Sequence, residues 1–313
     1  MIKKFFCLTP FYPVRVIPNE DYFYVSVVAA KQLGLEAELF SLSRYTPQEA
    51  YRLIPERSLI HCHGMTRKMY ELYWRLKFNR KASRMVITPH TSFGYWGMFG
   101  SFIPFAVSLV RQFNALCAIS PYENDFYKER GINSSVLGLG IDTELFSGLG
   151  RERNKQGILF FGGGRKEKNS KTLLEALRLI NTDVTVTITE CAENTDSGNI
   201  RYRKRVDAAT PEYAQLFREH SIFINSSYNE GFPLGVMEAY ASGMKCCISD
   251  IPTLRSIYGE SALYHHPDDH RKLAQNIKQC LDDDYPDRST ELIKRYDYKT
   301  VIEKLAAIYK ELI

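Results

Sequence analysis

The sequence contains no run of 18 or more consecutive apolar residues, so no segment of it is suited to span a bilayer as a helix. It also lacks any Cys-x-x-Cys pair. The seven cysteines (Cys7, Cys62, Cys117, Cys191, Cys246, Cys247, Cys280) form an odd set, and most stand in apolar, strand-like runs. A reduced thiol packs there as a small hydrophobe, so a disulfide framework or a zinc site is not expected and a reducing cytoplasm is. The opening Met1-Ile2-Lys3-Lys4-Phe5-Phe6-Cys7-Leu8 is too short in its apolar part for a secretory leader, and Thr9-Pro10 replaces a small-residue cleavage pattern. It reads as a first strand. Internal repeats and low-complexity tracts are missing. So is a Gly-Lys-Ser/Thr ending to any glycine-rich loop, which excludes a P-loop. Gly138-Leu139-Gly140 lacks the third glycine of a dinucleotide fingerprint. Acidic clusters at Asp268-Asp269 and Asp282-Asp283-Asp284 fall on or after a late helix, so no strand-end carboxylate pair for a metal is expected.

What is present is ordinary for a globular chain: 313 residues, 44% apolar and 25% charged. That length exceeds one typical core and predicts two domains. Short apolar runs alternate with helix-period segments, the pattern of parallel sheets with crossover helices. The alternation runs from residue 3 to about 139, is interrupted by a polar, glycine-bearing stretch at 147–156, and restarts at 157. The expected fold class is therefore α/β, with two Rossmann-like domains of parallel strands facing a central cleft. Their boundaries are placed at 1–148 (acceptor side) and 149–295 (donor side), with a last helix at 296–313 that can cross back to the first domain. Residues 1–150 hold 17 basic against 12 acidic residues, while 151–313 hold 24 of each. The net charge of +5 thus belongs to the first half.

The most informative segment is Glu230-Gly231-Phe232-Pro233-Leu234-Gly235-Val236-Met237-Glu238. An apolar strand at 221–226 ends in a polar loop, and a helix follows that starts near Pro233 and stops at Gly243, residues suited to those two ends. The N–H groups of its first turn and the positive end of its dipole then suit a phosphate. Glu230 on the loop can reach a sugar hydroxyl. Glu238, inside a helix packed on a sheet, needs a partner, and a ribose diol would serve.

Two carboxylates in this setting resemble the motif of retaining glycosyltransferase family 4. The resemblance implies a GT-B fold and a retaining transfer, without a metal or other cofactor, from a nucleotide diphosphate-sugar donor to a saccharide or lipid-linked acceptor in glycan or glycolipid synthesis. It implies that Glu230 contacts the donor sugar, that Gly231, Phe232, Pro233 and Leu234 line the donor site, and that Glu238 holds the ribose. Gly157–Asn169 resembles the family's first C-terminal strand and its Arg/Lys loop. Lys168 matches the family lysine, Gly163 stands where its arginine usually lies, and Arg165, two positions on, is the candidate substitute. His90, after Val86-Ile87-Thr88-Pro89, matches the family's active-site histidine; a structural strand-end histidine is the alternative. Two other departures are Pro13–Asn19, which lacks the family's glycine pair, and Ser256, where a glutamate is common. Together with Gly163 they keep open a non-catalytic nucleotide-sugar-binding partner protein, while a nucleotide-sugar epimerase stays open because it shares this two-domain architecture.

The stretch 65–81 is basic and aromatic. Met65, Met69, Leu72, Tyr73 and Leu76 form one helical stripe suited to the core. Tyr70, Trp74 and Phe78 recur at i, i+4, i+8 on another side, flanked by Arg67 and Lys81. Such a ridge fits the headgroup level of an anionic membrane, making a membrane-associated cytoplasmic protein one expectation. Cover by protein is equally open, and stacking on nucleic acid is the lesser alternative.

Overall fold

The computed structural model describes residues 2–9, 23–79, 83–90, 103–147, 154–208, 210–286 and 289–313. The chain divides into two compact units, Met1–Gly140 with Tyr298–Ile313, and Ile141–Asp297. Both are Rossmann-like.

In the first unit β1 (Lys4–Thr9), α1 (Phe23–Gln32), β2 (Glu36–Ser41), α2 (Pro47–Leu53), β3 (Ser58–His63), α3 (Arg67–Phe78), β4 (Arg84–Thr88), α4 (Ile103–Val110), β5 (Ala115–Ala118), α5 (Pro121–Lys128) and β6 (Ser135–Val136) follow one another. The sheet order is β2-β1-β3-β4-β5-β6, with all paired neighbours parallel. Strands buried on both faces need continuous apolar runs, and Phe5, Phe6, Cys7 and Leu8 are at most 1% exposed. Helix α2 opens on a reciprocal cap, Thr46 accepting from the Glu49 N–H while the Glu49 side chain accepts from the Thr46 N–H. Helix α1 ends at Gly34, whose φ of +75° lets the Leu35 N–H return to Ala30.

The second unit contains α6 (Thr143–Ser147), β7 (Asn154–Phe161), α7 (Ser170–Leu177), β8 (Thr185–Thr189), β9 (Thr195–Ser197), β10 (Ile200–Tyr202), α8 (Pro211–Glu219), β11 (His220–Asn225), α9 (Leu234–Ser242), β12 (Lys245–Ser249), α10 (Pro252–Tyr258), β13 (Leu263–His265), α11 (His270–Leu281) and α12 (Thr290–Arg295). Its order is β13-β12-β11-β7-β8-β10-β9, parallel except for the β9–β10 hairpin. That hairpin was not expected from the sequence, because Thr195, Asp196 and Ser197 are all exposed and carry no apolar alternation. The short helices α6, α10 and α12 were likewise not expected. The last helix, α13 (Tyr298–Lys310), buries Val301, Ile302, Leu305 and Tyr309 in the first unit's core beside Phe5, Cys7 and Val25.

Candidate active site

Sequence order brings three strand ends of the second unit together: those of β7, β8 and β11. Beyond β7 the chain makes a tight loop through Gly162, Gly163 and Gly164, whose N–H groups bond to Thr189 and Glu190 at the end of β8. All three glycines are dictated by space, Gly164 because a Cβ there would lie 2.7 Å from the Glu190 carbonyl oxygen. A Cβ at Gly162 (φ +98°) would meet Lys168 Cγ at 2.4 Å, so the lysine side chain runs where a side chain at 162 would lie. A Cβ at Gly163 would lie 2.5 Å from Ile188 Cγ2 and 2.6 Å from Cys191 Sγ. An arginine cannot start from position 163 in this backbone, and the loop's guanidinium comes from Arg165 instead.

After the loop, a single 3-10 turn, Lys166–Lys168, leads into Asn169, which adopts φ +57° and donates to the Pro267 carbonyl at 2.8 Å and to Thr172 Oγ1 at 3.0 Å. The turn is tied to the loop after β11 by the Tyr228 N–H, which donates to the Glu167 carbonyl at 3.0 Å. Lys168 and Glu230 thereby face each other across 2.5 Å, with side chains 16% and 9% exposed.

Glu230 is the most heavily held group of the site. Its Oε1 accepts from Lys168 Nζ, from Asn225 Nδ2 at 2.9 Å and from Ser227 Oγ at 2.6 Å. Oε2 takes no protein donor among the described residues, and Glu230 lines a cavity of about 590 Å³. One oxygen is therefore locked and the other is presented. Phe232 is fixed by an edge-on contact with Tyr296, ring centroids 5.0 Å apart, and Gly231 lies between these two anchored residues. Pro233 and Leu234 line the same cavity.

Helix α9 begins at Leu234, with Pro233 as its cap residue and no side-chain hydrogen bond there. Among the described residues the N–H groups of Leu234 and Gly235 have no protein acceptor. Both line the cavity, so two free donors and the helix's positive end open on it. Gly235 is required by packing, since a Cβ there would lie 2.8 Å from the Phe161 ring. The same cavity meets Arg165, Lys168 and Arg205. Arg165 is balanced by Glu190 at 3.1 Å.

Glu238 is 2% exposed and is held by the Tyr213 hydroxyl, which donates to Oε2 at 2.5 Å. Burial pushes its carboxyl up to about 7, against the Tyr213 hydrogen bond, which lowers it. The partner that its buried position requires is therefore Tyr213, which lines the cavity, whereas Glu238 itself lies behind it and is not among the lining residues. Tyr213, Arg205, Glu190, Asn225 and Ser227 were not singled out in the sequence. The strand-end and loop positions of Asn225 and Ser227, just before Glu230, offered a local signal; Tyr213, Arg205 and Glu190 reach the site through tertiary packing.

The remaining sequence candidates lie elsewhere. His90 belongs to the first unit, follows β4 and adopts φ +53°, a conformation in which histidine is over-represented among non-glycine residues. Its ring is enclosed enough that burial lowers its pKa to about 3. Ser256 on α10 turns back to the Thr253 carbonyl at 2.8 Å. Pro13–Asn19 and Lys81 fall outside the described residues. On α3, Met69, Leu72, Tyr73 and Leu76 are buried as expected, while Met65 is only half-buried. The aromatic ridge does not stand free. Tyr70 and Trp74 are half-buried against the core, and α4 covers the Tyr70 end, with the Phe105 ring 4.8 Å away. Phe78 is 74% exposed and stacks on Trp74 at 5.0 Å, and Arg67 is exposed. Among the described residues no helix is long and apolar enough to cross a membrane.

Comparison with known proteins bears on the fold. Residues 155–283 match the family described as Glycosyl transferases group 1. An 86-residue stretch is 31% identical to the O-antigen chain mannosyltransferase RfbU of Salmonella typhimurium, covering 26% of this chain and 24% of that one. The match thus spans about a quarter of that relative. Three solved structures resemble the whole chain at 14% identity each. Sucrose-phosphate synthase from Thermosynechococcus elongatus has a TM-score of 0.76, with 99% of each chain covered. A glycosyltransferase from Rickettsia africae has a TM-score of 0.75, covering 99% of this chain and 98% of that one. Anabaena HepE, solved with UDP and glucose, has a TM-score of 0.72, covering 99% and 100%. The chain therefore has the two-domain α/β fold of the GT-B glycosyltransferases, and most of its second unit matches the model of the Glycosyl transferases group 1 family.

Proposed function

We propose that this protein is a retaining glycosyltransferase that takes a sugar from a nucleotide diphosphate-sugar and passes it to a saccharide or lipid-linked acceptor. The observation that carries the reading is Glu230, with Oε1 saturated by three donors and Oε2 left without one among the described residues, lining a cavity that also meets an uncapped helix N-terminus and three cations. Oε2 suits a sugar hydroxyl. The Leu234 and Gly235 N–H groups, Lys168 and Arg165 suit a diphosphate, and such preorganised charge helps most where negative charge builds on the leaving group. In the step itself the acceptor oxygen bonds to the anomeric carbon, the bond from that carbon to the diphosphate breaks, and the hydroxyl proton goes to the departing diphosphate. Glu238 holds the ribose by exchanging its Tyr213 hydrogen bond for a diol. His90 offers a neutral ring to a sugar oxygen. With this cationic provision for the leaving group, the reaction is expected to need no divalent metal. A lipid-linked acceptor would be met at an anionic membrane surface by the basic first half, through Phe78 and Arg67.

The reading is tested by incubating the protein with a panel of nucleotide sugars, with and without EDTA, while following nucleoside diphosphate release and sugar isomers. Release stimulated by a saccharide acceptor and lost in Glu230→Ala is expected, unchanged by EDTA. A new epimer without acceptor would instead favour the epimerase. Tight nucleotide-sugar binding with no turnover, indifferent to Glu230→Ala, would favour a non-catalytic binder.

A further inference from the structure

A line of buried side chains in the first unit ends at His90. His61, on β3, is fully buried; its Nε2 lies 2.8 Å from Thr88 Oγ1, and its Nδ1 lies 2.6 Å from the Tyr309 hydroxyl and 3.2 Å from Ser26 Oγ. Ser26, on α1, also reaches His63 Nε2 at 3.0 Å. His63 Nδ1 in turn is 2.9 Å from His90 Nε2. The rings of His61 and His63 lie 4.1 Å apart, those of His63 and His90 5.2 Å apart, and Phe23 closes edge-on over His63 at 5.0 Å.

We propose that this line fixes His90 as the tautomer protonated on Nδ1, with Tyr309, Ser26 and His63 as its positioning residues. A neutral imidazole has one donor and one acceptor nitrogen, so each contact in the line constrains the next. The Tyr309 hydroxyl is nearest to His61 Nδ1 and occupies that nitrogen's single lone pair, which puts the His61 proton on Nε2, facing Thr88. Ser26, its longer contact to the same lone pair displaced, donates to His63 Nε2. His63 then carries its proton on Nδ1 and donates it to His90 Nε2, leaving the His90 proton on Nδ1. Burial disfavours the imidazolium form of all three rings, lowering His61 and His90 to about 3 and His63 well below its ordinary value. The line therefore transmits a tautomer rather than a charge. Its origin is Tyr309, on the C-terminal helix α13. In the proposed transferase, on which this functional consequence rests, a His90 protonated on Nδ1, with Nε2 accepting from His63, cannot act as a general base through Nε2.

The test is histidine 15N spectroscopy on the ligand-free full chain, with the His90 resonances assigned through His90→Gln. At pH 7 His90 is expected to show the Nδ1–H pattern and to stay neutral well below pH 6. Tyr309→Phe keeps the ring and frees His61 Nδ1 for the Ser26 proton. His90 should then lose its Nδ1–H preference. His63→Gln retains an N–H donor and should keep the pattern, whereas His63→Leu should abolish it while His90 stays neutral well below pH 6, because burial rather than His63 lowers it. A wild-type His90 protonated on Nε2, or one indifferent to both Tyr309→Phe and His63→Leu, would overturn the proposal. If His63→Leu does not fold, Tyr309→Phe decides it alone. The spectra need no turnover, so a protein with a locked His90 and no transferase activity would refute the function while leaving the tautomer line intact.

Discussion

Glu238 places a measurable tension between stability and ligand binding in the second unit. Its carboxyl titrates at about 7 in the fold, raised from 4.5 by burial. The unfolded chain sheds this proton near 4.5 and the folded chain only near 7. Between those values the native state binds more protons, so stability is lost as pH rises through the window and the full penalty applies above it. At 1.36 kcal/mol per unit, the penalty at pH 8 is about 3 kcal/mol and at pH 5 below about 1 kcal/mol. Glu238→Gln keeps an oxygen for the Tyr213 hydroxyl and removes the ionisation. Any constant cost of the amide cancels between two pH values, so the expected signature is a gain about 2 to 3 kcal/mol larger at pH 8 than at pH 5.

The assay must follow the second unit. Both tryptophans, Trp74 and Trp96, lie in the first half of the sequence, so their fluorescence reports the wrong unit. Hydrogen exchange of the β11 and α9 amides in urea, at pH 5 and pH 8, reads the relevant transition. The same substitution should weaken nucleoside diphosphate binding by about tenfold or more, since a hydrogen bond from a ribose hydroxyl to a carboxylate is worth about 1.5–3 kcal/mol. Identical stability gains at the two pH values would refute the raised carboxyl. A pH-dependent gain with undiminished nucleotide affinity would refute the ribose role alone.

Other outcomes follow from the same geometry. Lys168→Met strands the Glu230 carboxylate in a nearly closed site and should destabilise the second unit by about 3–5 kcal/mol in urea melts, with Lys168→Met/Glu230→Gln recovering much of the loss. Gly163→Arg, which would restore the family's usual residue, should lower stability by about 1–3 kcal/mol and reduce rather than raise turnover, because its Cβ meets Ile188 and Cys191. Phe78→Ser should leave the unfolding free energy within about 1 kcal/mol of wild type yet reduce sedimentation with anionic liposomes; equal sedimentation would end the membrane proposal. Trp74→Ser, by contrast, should cost stability, since that ring packs on the core.

The fold was legible where one segment carries its own signal. The strand expected at 221–226 forms at His220–Asn225 and the last helix expected at 296–313 forms at Tyr298–Lys310, because alternation and caps are local. The central strand-loop-helix was legible for the same reason, Pro233 and Gly243 marking the two ends of α9. What could not be read lies in pairs far apart in sequence. Tyr213 meets Glu238 across 25 positions, Lys168 meets Glu230 across 62, and Tyr309 meets His61 across 248. Gly163 was visible as a departure, but its cause, the side chains of Ile188 and Cys191, belongs to another strand end. The α3 ridge shows the limit most clearly. Its helical spacing was correct, and so was the buried stripe of Met69, Leu72, Tyr73 and Leu76. Which ridge residues stay bare depends on Phe105 from α4, whose approach no periodicity within α3 encodes. Spacing within a helix thus assigns side chains to faces, while tertiary neighbours decide which of those faces remain available for a partner.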